Sequence, residues 1–419
     1  MFDRTILENG LRVVSSTMPH TRSVSVGLYV AAGSRYEHDE IAGVSHFLEH
    51  MLFKGTTRRP TAQHISEEIE GVGGIMNAAT DKELTVYWAK VGQQHFERCM
   101  DVLADALLES TMDAAEIEKE RQVIIEELAM TEDSPGDIAA LLIDEVLWPD
   151  QPLGRDVGGS PKSVAAITRE QIVSFVDKHY TPANTVLSVA GNVSHDDVVT
   201  LAKRLYGKWQ PATAGPWYRA EEKPSPRVAL KSKKTQQAQV CIGLQGYSSV
   251  HPDRYALDLM NTILGEGMSS RLFVEIREKL ALAYDVSSYV AHFQDAGALV
   301  VSAGVDPKRV DPTIKAILGE LAKMRAGVPE SELRKAKELI KGRMQLRMED
   351  TRAVSSWLGT QELLRNEILT VDQALEIIEG VSVEDVNRVA AELLRPERMS
   401  LAVVGPYRSD AKFTKLMAV

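Results

Sequence analysis

The feature that most constrains the fold of this chain is a weak internal repeat. Ile167-Thr168-Arg169-Glu170-Gln171-Ile172 matches Val381-Ser382-Val383-Glu384-Asp385-Val386 at a spacing of 214 residues. The same spacing aligns Pro182, Leu187, Val189 and Gly191 with Pro396, Leu401, Val403 and Gly405. Each half therefore closes with a helix, a proline turn and a strand ending in glycine. At 419 residues the chain exceeds a single hydrophobic core, and two related domains of about 200 residues fit the size of ordinary domains. The expected class is α+β: two homologous sandwiches, each an antiparallel-rich sheet flanked by helices. The expected division is 1–212, a linker 213–227 containing Pro216, Pro224 and Pro226, and 228–419.

One stretch carries chemistry. Gly43-Val44-Ser45-His46-Phe47-Leu48-Glu49-His50-Met51-Leu52-Phe53-Lys54-Gly55 reads as a short helix closed by Gly55, with Lys54 in its last turn. At 100° per residue, Val44, Phe47, Leu48, Met51 and Leu52 share one face. His46, Glu49, His50 and Phe53 share the other. Two imidazoles four residues apart on a rigid helix meet one metal ion with little entropy to lose, since zinc takes neutral imidazole nitrogens at about 2.0–2.1 Å. The order H-x-x-E-H is the inverzincin pattern. A bland amphipathic helix with a wet polar face is the competing reading.

Around it, 11–16 and 23–30 read as strands, 61–70 as a helix ended by Gly71, and 83–91 as an alternating strand. Long helical patterns cover 95–109 and 113–131. In the second, Glu120 and Glu127 are seven apart and share a face with Val123 between them; two carboxylates there can supply a third metal ligand and a partner behind it. The region of the second half that corresponds to the metal helix, Tyr255 to Gly265, has no H-x-x-E-H, so the metal belongs to one half only.

Composition excludes other classes. The net charge is −11, from 48 basic and 59 acidic residues with no basic stripe, which argues against nucleic acid or an anionic membrane as partner. Cys99 and Cys241 form no C-x-x-C, so neither a disulfide framework nor a thiolate site is expected. The acidic start lacks an apolar run, and no stretch approaches 18 apolar residues, so the expected setting is cytoplasmic, with no signal peptide or membrane span.

Together these features resemble the M16 zinc metallopeptidases, the pitrilysin, insulin-degrading enzyme and mitochondrial processing peptidase group, in a single-half bacterial form. The resemblance implies one Zn2+ per chain held by His46, His50 and Glu127, the last lying 77 positions after the second histidine. It implies Glu49 as general base and Glu120 as support for the site. The run Gly73-Gly74-x-x-Asn77-Ala78-x-Thr80 is similar to the family's substrate-pairing edge strand, giving Asn77, Ala78 and Thr80 to peptide binding. Arg277 and Tyr284 match the family's Arg/Tyr segment, which holds substrate and the tetrahedral intermediate; Ala281 departs from the glycine common there. The implied activity is an endopeptidase or oligopeptidase acting on unfolded peptides or presequences inside a closed chamber. Family enzymes close two halves around that chamber, and this chain is one half of the clamshell. A homodimer, or a heterodimer with a zinc-less paralogue, is therefore expected. The alternative is a non-catalytic scaffold or partner subunit of the same fold.

Overall fold

A computed structural model of the chain describes residues 2–221 and 228–418. In order, the elements to the middle of the chain are β1 (Asp3–Ile6), β2 (Arg12–Thr17), β3 (Ser23–Val30), α1 (Val44–Met51), α2 (Ala62–Glu70), β4 (Ile75–Thr80), β5 (Thr85–Gly92), α3 (Phe96–Glu109), α4 (Ala114–Asp133), α5 (Pro135–Leu147), α6 (Pro161–Ala166), α7 (Arg169–His179), β6 (Thr185–Gly191) and α8 (His195–Tyr206). There follow β7 (Val228–Ser232), β8 (Ala238–Gln245), α9 (Arg254–Gly265), a π-helical turn Phe273–Lys279, β9 (Ala283–His292), β10 (Gly297–Val305), α10 (Val310–Ala326), α11 (Glu330–Arg347), α12 (Thr351–Arg365), α13 (Val371–Gly380), α14 (Val383–Leu393), β11 (Ser400–Gly405) and α15 (Ala411–Met417). None of the described helices is long and apolar enough to cross a membrane.

The repeat is visible in both sheets. The first runs β1-β2-β6-β3-β5-β4 and the second β7-β11-β8-β10-β9. Each has one parallel pair, β2 with β6 and β7 with β11, and is otherwise antiparallel. The matched sequences start equivalent helices with the same device: Thr168 and Gln171 form a capping box on α7, and Ser382 and Asp385 form one on α14.

The compact units are not the contiguous halves. One comprises Met1–Leu128, Asp156–Tyr218 and Gln345–Thr370; the other comprises Ala129–Arg155, Arg219–Met344 and Val371–Val419. The division at 212 and 228 is thus corrected: each half of the sequence gives one segment to the other unit. The reason is sheet burial. A sheet covered on both faces needs helices on both, and α12 and α5 supply the second face.

In the first unit Tyr87 and Trp88 point to opposite faces of β5. Tyr87 meets Phe53 edge-on at 5.8 Å and bonds the Tyr180 hydroxyl at 3.0 Å. Trp88 lies under the Arg352 guanidinium of α12, and Ser188 and Ser355 exchange hydroxyl-to-carbonyl bonds at 2.8 and 3.0 Å. In the second unit Val240, Ile242, Leu401 and Val403 join the core under α9, α10 and α14. The alternate residues Cys241, Ala402 and Val404 join a second cluster with Ile138, Ile143 and Leu147 of α5. Of the expected linker, 222–227 lie outside the described residues; 213–221 contain neither helix nor strand.

Candidate metal centre

Helix α1 is aimed by its start. Glu37, fully buried, accepts from the backbone N–H groups of Gly43 and Ser45, both at 2.8 Å, and puts a carboxylate at the positive end of the helix. Gly43 has φ +96°, and a Cβ there would stand 2.5 Å from the Gly158 carbonyl oxygen, so only glycine fits this entry. The apolar stripe packs as its spacing predicts: Val44, Phe47, Leu48, Met51 and Leu52 are at most 1% exposed. The helix ends at Met51, one turn short of the expected Gly55. Lys54 is therefore not a last-turn residue; its ammonium pairs with Glu120 at 2.6 Å.

The polar face and α4 converge. His46 Nε2 and His50 Nε2 are 3.3 Å apart, with the ring planes at 83°. Glu127 Oε2 stands 3.7 Å from the first and 3.5 Å from the second. Two ligands about 2.05 Å from a tetrahedral ion lie about 3.3 Å apart, so the three separations are close to the edges of one zinc tetrahedron. Behind them, His50 Nδ1 is 3.0 Å from Glu120 Oε2. A carboxylate accepts only, so the proton sits on Nδ1 and the Nε2 lone pair faces the other two donors. Glu120 is buried and shared with Lys54, so it holds the ring without reaching the donor cluster. Burial, with His50 next in effect, holds the His46 imidazole below the usual histidine range, which keeps it neutral and able to ligate. The donor set fits zinc.

Glu49 is half-buried on the same face. Its charge helps raise the hydroxyl pKa of Tyr87 and Tyr180, whose shift comes first from burial. Asp156, raised by burial and held by the Gly158 N–H at 2.9 Å, contributes negative charge felt by His46. Glu37, Lys54 and Asp156 had no sequence signal for these places. The seven-residue spacing of Glu120 and Glu127, and the family resemblance, pointed to the pair on α4.

The residues expected to bind peptide, Asn77, Ala78 and Thr80, lie on β4, the edge strand of the first sheet, which among the described residues pairs with β5. Asn77 is exposed, Ala78 and Thr80 half-buried, and the Asn77 side-chain Oδ1 accepts from the Ala78 N–H at 2.8 Å. Arg277 and Tyr284 belong to the second unit. There the Arg277 guanidinium rests 4.5 Å from the Tyr284 ring and 4.7 Å from Phe273, and Tyr284 is 75% exposed. Between them Ala281 takes φ +48°, the left-handed region that a Cβ disfavours.

Residues 12–160 match the family model described as Insulinase (Peptidase family M16), and 166–340 match the Peptidase M16 inactive domain. An uncharacterized zinc protease of Streptomyces coelicolor is 40% identical over 97% of this chain and 90% of its own length. One of Bacillus subtilis is 36% identical over 97% and 98%. Among solved structures, a protease from Helicobacter pylori superposes with TM-score 0.93 at 25% identity, covering 97% of this chain and 99% of that one. The M16 inactive domain from Pseudomonas fluorescens gives 0.90 at 21%, a likeness of fold. With full-length relatives on this scale, the two-sheet repeat and its single H-x-x-E-H helix place the chain in the M16 peptidase family.

Proposed function

We propose that the protein is a zinc-dependent endopeptidase of unfolded peptides, with one zinc per chain held by His46, His50 and Glu127. The observation that carries the reading is the convergence of three donor atoms at 3.3–3.7 Å with His50 oriented from behind by Glu120. Zinc, when bound, supplies Lewis acidity that brings the pKa of water toward about 7. Glu49 serves as general base, taking the proton from the attacking water and returning it to the leaving amine. Glu120 and Lys54 fix the His50 tautomer through the change of charge.

The substrate adds as a strand to the β4 edge, so its main chain sets the register and Asn77 gives up its bond to Ala78. Arg277 and Tyr284 serve substrate and oxyanion, the tyrosine as hydroxyl donor. In a dimer these two come from the partner subunit, whether a second copy or a zinc-less paralogue, and the two halves enclose a chamber that admits unfolded chains.

The test is metal content by mass spectrometry together with cleavage of a quenched fluorogenic peptide before and after chelation. One zinc per chain and chelator-sensitive cleavage are expected. Zinc without cleavage on a panel of peptides points to a missing partner subunit. Neither zinc nor cleavage overturns the enzyme in favour of a scaffold.

A further inference from the structure

The loop that caps α1 also walls a concavity of 350 Å³ within the first unit. Tyr36, Ile41, Phe175 and Trp217 give it apolar walls. The Trp217 wall is built rather than draped. Arg35, fully buried, lies 4.5 Å under the Trp217 ring, donates to the Tyr218 carbonyl at 2.8 Å, and is paired with Glu83 at 2.5 Å. The Tyr218 N–H returns a bond to the Arg35 carbonyl at 2.9 Å.

At the floor is His179, 1% exposed, between Tyr36 edge-on at 5.4 Å and Phe175 at 4.5 Å. Its Nδ1 is buried and has no hydrogen-bond partner. Burial, with the charge of Lys178 second, pulls the imidazole down to about 4, so at neutral pH it is an uncharged ring whose buried Nδ1 is unused. The repeat makes that atom conspicuous. At the same 214-residue spacing, His179 corresponds to Leu393, which is fully buried. A hydrocarbon satisfies this place in the fold, whereas a buried nitrogen without a partner is a standing cost.

The mouth carries donors. Gln171, Ser174 and Lys178 follow one another at helical spacing on α7, and all three line the concavity. Glu170 is engaged elsewhere, held by a backbone N–H and the Thr168 hydroxyl at the start of its own helix. The dimensions suit a ligand site of small-molecule size.

We propose that this pocket binds a hydroxyaryl carboxylate: the ring between Tyr36, Phe175 and Trp217, the hydroxyl on the His179 imidazole, the carboxylate at Lys178. That chemistry is shared by a free phenolic acid and by a peptide ending in tyrosine. The inference stands apart from the metal centre and from any peptidase activity.

The test is calorimetric titration of the full-length protein with 4-hydroxyphenylpropionate, phenylpropionate, 4-hydroxyphenylpropionamide and an acetylated peptide ending in tyrosine. The hydroxyaryl acid is expected to bind with Kd below about 1 mM. Loss of either the hydroxyl or the carboxylate should weaken it about three- to ten-fold. His179→Leu should erase the preference for the hydroxyl, and Ser174→Trp, by filling the space, should abolish binding while near-ultraviolet circular dichroism stays native. Tighter binding of the peptide assigns a peptide end; equal binding assigns the free acid. No binding of the acid at about ten times that concentration, or an unchanged hydroxyl preference in His179→Leu, overturns the proposal.

Discussion

Helices α1 and α9 occupy the same place in two copies of one topology, yet only one is chemically armed. In α9 nine of twelve residues are buried, and the polar Asn261 among them is closed off by the Ser288 hydroxyl at 2.6 Å. In α1 five of eight are buried, and the three left half-exposed are His46, Glu49 and His50. The scaffold needs one buried stripe from this helix. What the remaining face does is free to diverge, so the second copy completed its packing and the first kept an open polar row opposite α4.

The largest effects should come from removing what α1 has and α9 lacks. His50→Ala is expected to drop zinc from about one per chain to near none by mass spectrometry, with the fold retained; a variant still holding stoichiometric zinc would refute the ligand set. Glu49→Gln should keep its zinc and lose about 10²–10⁴-fold in turnover, and full peptidase activity would end the general-base assignment. Glu120→Gln leaves the donors in place but loosens His50, so zinc affinity in a competitive chelator titration should fall about 10–100-fold.

The next contrast is His179 against Leu393. The folded-state pKa of His179, about 4, lies below its unfolded value, so below about pH 6.5 the unfolded chain takes up a proton that the folded chain refuses. Its contribution is present above pH 6.5 and is lost as pH falls toward 4. Denaturant midpoints should therefore decline across that window. His179→Leu, copying the second repeat, should flatten the decline and add about 1–3 kcal/mol at neutral pH by removing an unpartnered buried group. Equal declines in both proteins would show that other groups set the acid limit.

The smallest expected effect is at Ala281. A left-handed conformation costs a non-glycine residue about 1–2 kcal/mol, partly offset by the entropy of glycine in the unfolded chain. Ala281→Gly should stabilise by about 0.5–1 kcal/mol in chemical denaturation. No gain would mean that the Arg309 bond to the Ala281 carbonyl, 2.6 Å, depends on the methyl-bearing conformation.

Much of this was legible beforehand, because it is written in local pattern. The alternation of 23–30 and the five apolar positions of α1 are periodic; the extent of β3 and the buried stripe of α1 follow from them, whereas β3 is buried on both faces and α1 stops a turn short of Gly55. The match of 167–172 with 381–386 marked equivalent helix starts, which the structure shows to be capping boxes on α7 and α14. What could not be read was decided at a distance. Glu37 reaches the start of α1 from a loop six residues back, and Asp156 approaches His46 from more than a hundred residues away. Nothing in the amphipathic patterns of α5 and α12 states which sheet each will cover, and the contiguous domain division failed there.

That exchange bears on how the chain can be cut. A fragment stopped before the linker would carry the whole H-x-x-E-H helix and α4, yet would lack α12, leaving the Trp88 face of its sheet bare and Ile138, Ile143 and Leu147 of α5 without their core. Neither half is then a foldable module. Two separately expressed halves should become ordered only when mixed, each acting as the template on which the other completes its second layer.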